Sequence, residues 1–163
     1  MTGLDRRRTA LLALASLLLL GALLATAVGQ VWLHGQRADD DRAKEVRAAA
    51  DHAVTAVLSY DYRRLQAGSE ETAPLLTGDA ADQFEEVQKP LRSTAPRLEA
   101  VVTAEVRAST VLASDESSAR VLLFVDQVSS SKKLKQPHLD QSRVVVTLTH
   151  KDGHWLVATL SAV

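Results

Sequence analysis

The sequence predicts an α+β domain carried behind a single membrane-spanning helix, and three observations lead to that expectation. Apolar residues recur at a 3.6-residue period after residue 41, and the period changes to two from Leu98 onward. Both stretches follow an uncharged run from Ala10 to Val28. Helices gathered ahead of a run of strands fit a layered arrangement in which a helical stripe covers one face of a sheet. The expected domain has two to three helices packed on a curved, four-stranded antiparallel sheet.

The uncharged run organises the rest of the chain. Its 19 residues give about 29 Å of helix at about 1.5 Å per residue, close to the thickness of a bilayer's hydrocarbon core. Arg6, Arg7 and Arg8 precede it, and Trp32 lies where an interfacial aromatic belongs. Residues 1–8 therefore read as a cytoplasmic basic arm, 9–33 as a transmembrane helix in the plasma membrane, 34–41 as a juxtamembrane linker and 42–163 as an extracytoplasmic domain. A cleaved secretory signal is the competing reading, since Ala25-Thr26-Ala27 fits a small-x-small cleavage pattern. The run exceeds a usual signal core and continues to Leu33, which favours a retained anchor.

Composition removes whole function classes. The chain has no cysteine, so cysteine-based zinc, redox and nucleophile sites are excluded, and an exported domain must hold together by packing alone. Residues 34–163 carry 16 basic and 19 acidic side chains, which is no footprint for nucleic acid.

Along the domain, Ala43, Val46, Ala50, Ala53, Val54, Val57, Leu58 and Leu65 share one helical face and predict a long amphipathic helix over Arg42–Arg64. Ala67-Gly68-Ser69 ends it, and a short helical piece is expected over 70–76. Asp79 is placed to cap a helix from Ala80 to about Leu91, which Pro90 and Pro96 should stop by Ser93. Strands are then expected over 98–109, 119–128, 141–151 and 154–161, with a polar loop over 129–139 and an Asp152-Gly153 hairpin turn. The first should direct Ala104, Val106 and Ala108 to one face. The last should set Trp155 and Val157 on one face and Leu156, Ala158 and Leu160 on the other.

Chemistry-bearing patterns are sparse. The five histidines show no metal-ligand spacing, and no phosphate-cradling loop or nucleophile elbow occurs. No cofactor or metal is expected. Tyr60-Asp61-Tyr62-Arg63-Arg64 is the sharpest candidate: Tyr with Asp can do acid–base work inside a pocket. Asp61 falls on the apolar helix side, however, and reads better as a structural partner of an arginine. The repeated dipeptides Asp126-Gln127 and Asp140-Gln141 either aim polar groups at a partner or bond loop backbone from strand ends, the second being favoured. Lys132, Lys133 and Lys135 read as a solvated loop.

Taken together, AVLSYDYRRL (Ala56–Leu65), LLTGDAADQF (Leu75–Phe84), DQSRVVVTL (Asp140–Leu148) and DGHWLV (Asp152–Val157) resemble the Mce-associated membrane proteins of actinobacteria. The resemblance spans nearly the whole chain in order. It implies an NTF2-like or cystatin-like extracytoplasmic domain of the kind found in VirB8-type secretion subunits. It also implies a non-enzymatic accessory role beside an Mce-type lipid or sterol importer, with the bilayer and transporter subunits as partners. A small-ligand binder or enzyme, or a VirB8-like secretion component, is the alternative. Tyr60, Asp61, Arg63, Asp140, Gln141, Ser142, Arg143 and Trp155 match the family's motifs and are candidate fold-defining or partner-facing positions. No catalytic residue is implied.

Overall fold

A computed structural model describes residues 39–163. The expected arm, the transmembrane stretch 9–33 and the linker through residue 38 lie outside the described residues. The chain divides into two units, Met1–Asp41 and Arg42–Val163, and the second is the domain described below. Among the described residues no helix is long and apolar enough to cross a membrane.

Residues 39–58 are helical (α1). Val46, Ala50, Ala53 and Val54 form its buried stripe, at the spacing that brings side chains to one helical face. The helix stops well before Arg64, contrary to the expectation from its periodicity. Pairing with a distant strand replaces the helix there. Ser59 Oγ accepts the Ala104 N–H at 2.9 Å, and Tyr60–Asp61 forms a short strand, β1, paired with Val102 and Val101. The sheet accordingly has five strands, one more than expected.

After a turn, α2 spans Leu65–Thr72 and continues into a 3-10 turn over Ala73–Leu75. Ala67-Gly68-Ser69 thus lies inside a helix and does not end one. Leu76 bridges Val157, and the Thr77 N–H donates to the Val157 carbonyl at 2.9 Å, so this link is tied to the sheet's last strand. Thr77, extended, holds the cap position of α3 (Gly78–Leu98) without a side-chain cap bond; Asp79 sits in the first turn.

The α3 helix runs through both Pro90 and Pro96. Each proline frees the carbonyl four residues earlier, on Glu86 and Arg92. Both residues are exposed, so water can meet those carbonyls. Ala95, only 1% exposed, fastens the last turn inside the domain, and Arg97 Nε donates to the Ser93 carbonyl at 3.2 Å. Helix continues past Ser93 because the far end is packed.

The sheet is a meander in the order β1-β2-β3-β4-β5, antiparallel throughout, with β2 Val101–Ser114, β3 Ser118–Ser130, β4 His138–Lys151 and β5 His154–Ala162. The β3–β4 pairing runs out to Ser129 opposite His138, shortening the loop expected over 129–139. Ala119, Val121, Leu123 and Val125 lie opposite Leu148, Val146, Val144 and Ser142. The apolar members of these pairs join Val157 and the α1 stripe in one core, with Leu76, Ala80 and Phe84 closing its end.

Irregularities in register reverse two expected facings. One lies in β2 between Val106 and Ala108: Val106 packs on the core opposite Val125, whereas Ala108 is exposed opposite Phe124. The other lies between Thr147 and Leu148 of β4, which pair with Thr159 and Val157, leaving Ala158 as the extra residue of β5. Leu160 thereby joins Val157 on the core side, though strict alternation puts it on the opposite face. A bulge inserts one residue, inverts the alternation beyond it and bends the strand.

Candidate functional site

The face of the sheet away from the helices carries both bonded polar groups and exposed apolar side chains. Asp126 in β3 lies opposite Glu105 of β2 and Gln141 of β4. Gln141 Nε2 donates to Asp126 Oδ1 at 2.8 Å, Arg107 Nε stands 3.6 Å from Asp126 Oδ2, and Arg107 Nη1 lies 2.7 Å from Glu105 Oε1. A polar track thus crosses three strands. Apolar side chains flank it: Phe124, opposite Arg143, is 43% exposed, and Val128 and Leu139, opposite each other, are 43% and 53% exposed. A shallow groove of about 570 Å³ runs along Phe124, Asp126, Arg107, Gln141 and Arg143.

Alternation along β4 divides the candidate run Asp140–Arg143 between two faces. Gln141 and Arg143 belong to the outer face with Asp126 and Phe124. Ser142, opposite the buried Val125, points to the helix side. Asp140 pairs with Gln127, whose Nε2 donates to the Leu58 carbonyl at 3.3 Å, and is itself exposed. The two Asp-Gln dipeptides are register partners in reverse order. Asp126 and Gln141 bond each other across the ladder, and Gln127 bonds the backbone at the end of α1, so the expected bond to loop backbone gives way to a cross-strand pair and a helix-end carbonyl.

The Tyr60–Arg64 segment forms a separate cluster around the α1–β1 junction. Asp61 pairs with an arginine as expected, but from a strand and a turn and not from a helix face. Arg63 Nε and Nη2 donate to the two Asp61 carboxylate oxygens at 2.9 and 2.8 Å, and the Arg63 N–H donates to Oδ1 at 2.9 Å. These side-chain and backbone hydrogen bonds from Arg63 hold the Asp61 carboxyl below its ordinary range, and the same pairing raises Arg63. The Arg63 guanidinium also lies 5.4 Å from the Tyr62 ring centre. A carboxyl lowered in this way is a weaker base, the reverse of the tuning that acid–base work near neutral pH requires. Trp155 packs on the core from β5 and meets the His150 ring at a tilt of 37°, ring centres 4.8 Å apart. Among the described residues no cluster of His, Asp and Glu is suited to hold a metal ion.

A deeper cavity of about 320 Å³ opens between the end of α1 and α3, lined by Leu58, Tyr60, Phe84, Val87, Gln88 and Leu160 among others. Asp61 is not part of its lining. Sequence reasoning missed Gln88 entirely, because a glutamine in an amphipathic helix carries no signal that it will be buried.

No family model matches the sequence. The proteins Rv1362c and MT1407 of Mycobacterium tuberculosis, both described as uncharacterized, are each 30% identical over 152 residues, a match covering 90% of this chain and 69% of theirs. The chain belongs to their family. The described residues make up about three quarters of the chain, so the family match runs into the segment before residue 39. Among solved structures, the fold resembles an IcmL-like type IV secretion system protein of Legionella pneumophila (TM-score 0.58, 18% identity, 71% of this chain and 88% of that one). It also resembles the periplasmic domain of DotI (0.59, 16%, 71% and 91%) and Agrobacterium tumefaciens VirB8 (0.58, 12%, 74% and 90%). At such identities the likeness is one of fold: the domain has a VirB8-like α+β fold, as the resemblance implied.

Proposed function

We propose that the chain is a non-enzymatic accessory subunit of a cell-envelope complex, one that stabilises or assembles an Mce-type importer of lipids or sterols. In this reading residues 9–33 anchor it in the plasma membrane with the amino terminus cytoplasmic, and the VirB8-like domain meets its partners on the outer side. Tethering keeps that domain at high effective concentration beside membrane partners.

The observation that carries the reading is the outer sheet face. Phe124, Val128 and Leu139 stand exposed on either side of the Glu105–Arg107–Asp126–Gln141 track, so one sheet face presents aromatic and aliphatic surface together with oriented polar groups, the mixture that protein-binding patches use. The lowered Asp61 carboxyl supports a structural role for the segment that otherwise most resembles a catalytic one. The resemblance of its motifs to those of Mce-associated proteins is what directs the proposed partner toward an Mce transporter.

The test is purification of the full-length chain from membranes of its native host, with the recovered partners identified by mass spectrometry. Mce transporter subunits are expected, and Phe124→Asp should reduce their recovery more than about tenfold while the domain still folds, read by circular dichroism. Recovery of secretion-channel subunits in place of Mce subunits overturns the assignment. Undiminished recovery with Phe124→Asp removes the sheet face as the docking surface.

A further inference from the structure

Helix α3 sorts its charges along its length. Asp79, Asp82, Glu85 and Glu86 occupy the first half and Lys89, Arg92 and Arg97 the second, and all seven are exposed. The opposite side of the helix, with Ala80, Phe84, Gln88 and Ala95, is buried in the domain. The helix dipole accounts for Asp79 in the first turn and Arg97 in the last, because its influence fades within one turn of each end. The five charges between them need another reason. Glu85 and Lys89 stand at the i,i+4 spacing that supports an ion pair within a helix, yet they make none. Among the described residues Asp82, Glu86 and Arg92 also have no ionic partner.

We infer that this exposed face of α3 pairs with the same face of a second copy of the chain, antiparallel about a two-fold axis at the level of Gln88. Around that axis Asp79 comes opposite Arg97 of the second copy, and Glu85 and Glu86 come opposite its Arg92 and Lys89. The symmetry repeats every pair. A parallel arrangement sets acid against acid and base against base, so the charge order selects the antiparallel one. A face that meets itself closes at two copies. Residues 34–163 carry 16 basic and 19 acidic side chains, so little net repulsion opposes the approach of a second copy. Exposed ion pairs each contribute little, and one helix face is a small contact. The pair is therefore weak and salt-sensitive, with its orientation set by charge. The outer sheet face, on the side away from the helices, stays free for other partners.

The chain has no cysteine, so introduced thiols report the pairing without background. Gln83 and Ser93 are uncharged and exposed, and they fall opposite each other across the axis. The full chain, in a non-ionic detergent at low ionic strength, is prepared as Gln83→Cys and as Ser93→Cys, and oxidised separately and as an equal mixture. Like positions lie about 15 Å apart along the helices, beyond the roughly 7 Å that a disulfide spans between Cα atoms. A crosslinked dimer is expected in the mixture at about ten times the yield of either variant alone. Adding Glu85→Lys and Glu86→Lys to both chains should lower that yield about tenfold. Adding Lys89→Glu and Arg92→Glu to those same chains should restore it, which separates lost pairing from lost folding. A mixture that gives no dimer, or no more than the single variants give, overturns the antiparallel pairing. A yield that ignores the first reversal, or that the second does not restore, overturns the part assigned to these charges.

Discussion

Gln127 Nε2 donates to the Leu58 carbonyl at 3.3 Å, joining residues 69 apart in sequence. Leu58 is the last residue of α1, and its carbonyl is one of the four that a helix leaves without an internal partner. The bond therefore fastens the end of the principal core helix to the middle of the sheet. It also sets one wall of the cavity, since both residues line it.

Replacing Gln127 by Leu removes that donor and leaves the Leu58 carbonyl part-buried without it. Stability should fall by about 1 kcal/mol. Amide exchange should accelerate over residues 55–58 while the β3–β4 ladder keeps its protection. Urea denaturation and exchange on the same sample check both effects, and an unchanged exchange pattern would falsify the tether.

The two faces of the sheet separate stability from docking. Leu148 of β4 is fully buried opposite Ala119, so Leu148→Ala should cost about 2–5 kcal/mol. Phe124 of β3 lies on the other face and is partly exposed, so Phe124→Ala should cost only about 1 kcal/mol. The contrast, read from denaturant midpoints, is what allows Phe124 substitutions to report on partner binding alone.

Periodicity made most of this architecture legible. The alternation of Val121, Leu123 and Val125 and of Val144, Val146 and Leu148 placed two central strands and their inner faces, and the Val46–Val54 stripe placed the covering helix. The departures come from interactions that a single segment does not encode. The end of α1 at residue 58 depends on Ser59 meeting Ala104, 45 residues on. The survival of α3 past Pro90 depends on Ala95 reaching the interior and on Glu86 and Arg92 facing water. The reversal at Leu160 follows from one extra residue, Ala158, in β5. Of the candidate positions, Asp61 and Arg63 are near neighbours whose pairing the sequence already suggested. The union of Asp126 with Gln141 became visible only once the β3–β4 register was known.

Glu99 ends α3 in the left-handed region, at φ 50° and ψ 44°, and its carboxylate pairs with Lys132 at 2.7 Å. A side chain at that backbone position is unfavourable relative to glycine. Glu99→Gly relieves the strain and deletes the ion pair together. In a Lys132→Ala background the pair is already gone, so Glu99→Gly should then raise stability by about 1 kcal/mol. In the parent protein the gain should be smaller. No gain in the Lys132→Ala background would show that the cap is unstrained, and a larger gain in the parent than in that background would show that the pair does not stabilise the fold.

The Asp61–Arg63 pair gives a pH dependence of defined sign. Hydrogen bonds from Arg63 lower the folded Asp61 pKa below its ordinary value. The stabilisation is therefore complete above the unfolded carboxylate range, near pH 4, and is lost as pH falls through the lowered folded value. Asp61→Asn removes it at every pH. The melting temperature of the parent should exceed that of Asp61→Asn by a constant margin between about pH 5 and 7, and the margin should close at acid pH below about 4. Because the pair is solvent-exposed, added salt should narrow the margin at neutral pH as well. A margin that stays constant from neutral pH down to about pH 2 would mean that the substitution disturbs the β1 turn and not the ion pair, since backbone geometry does not titrate.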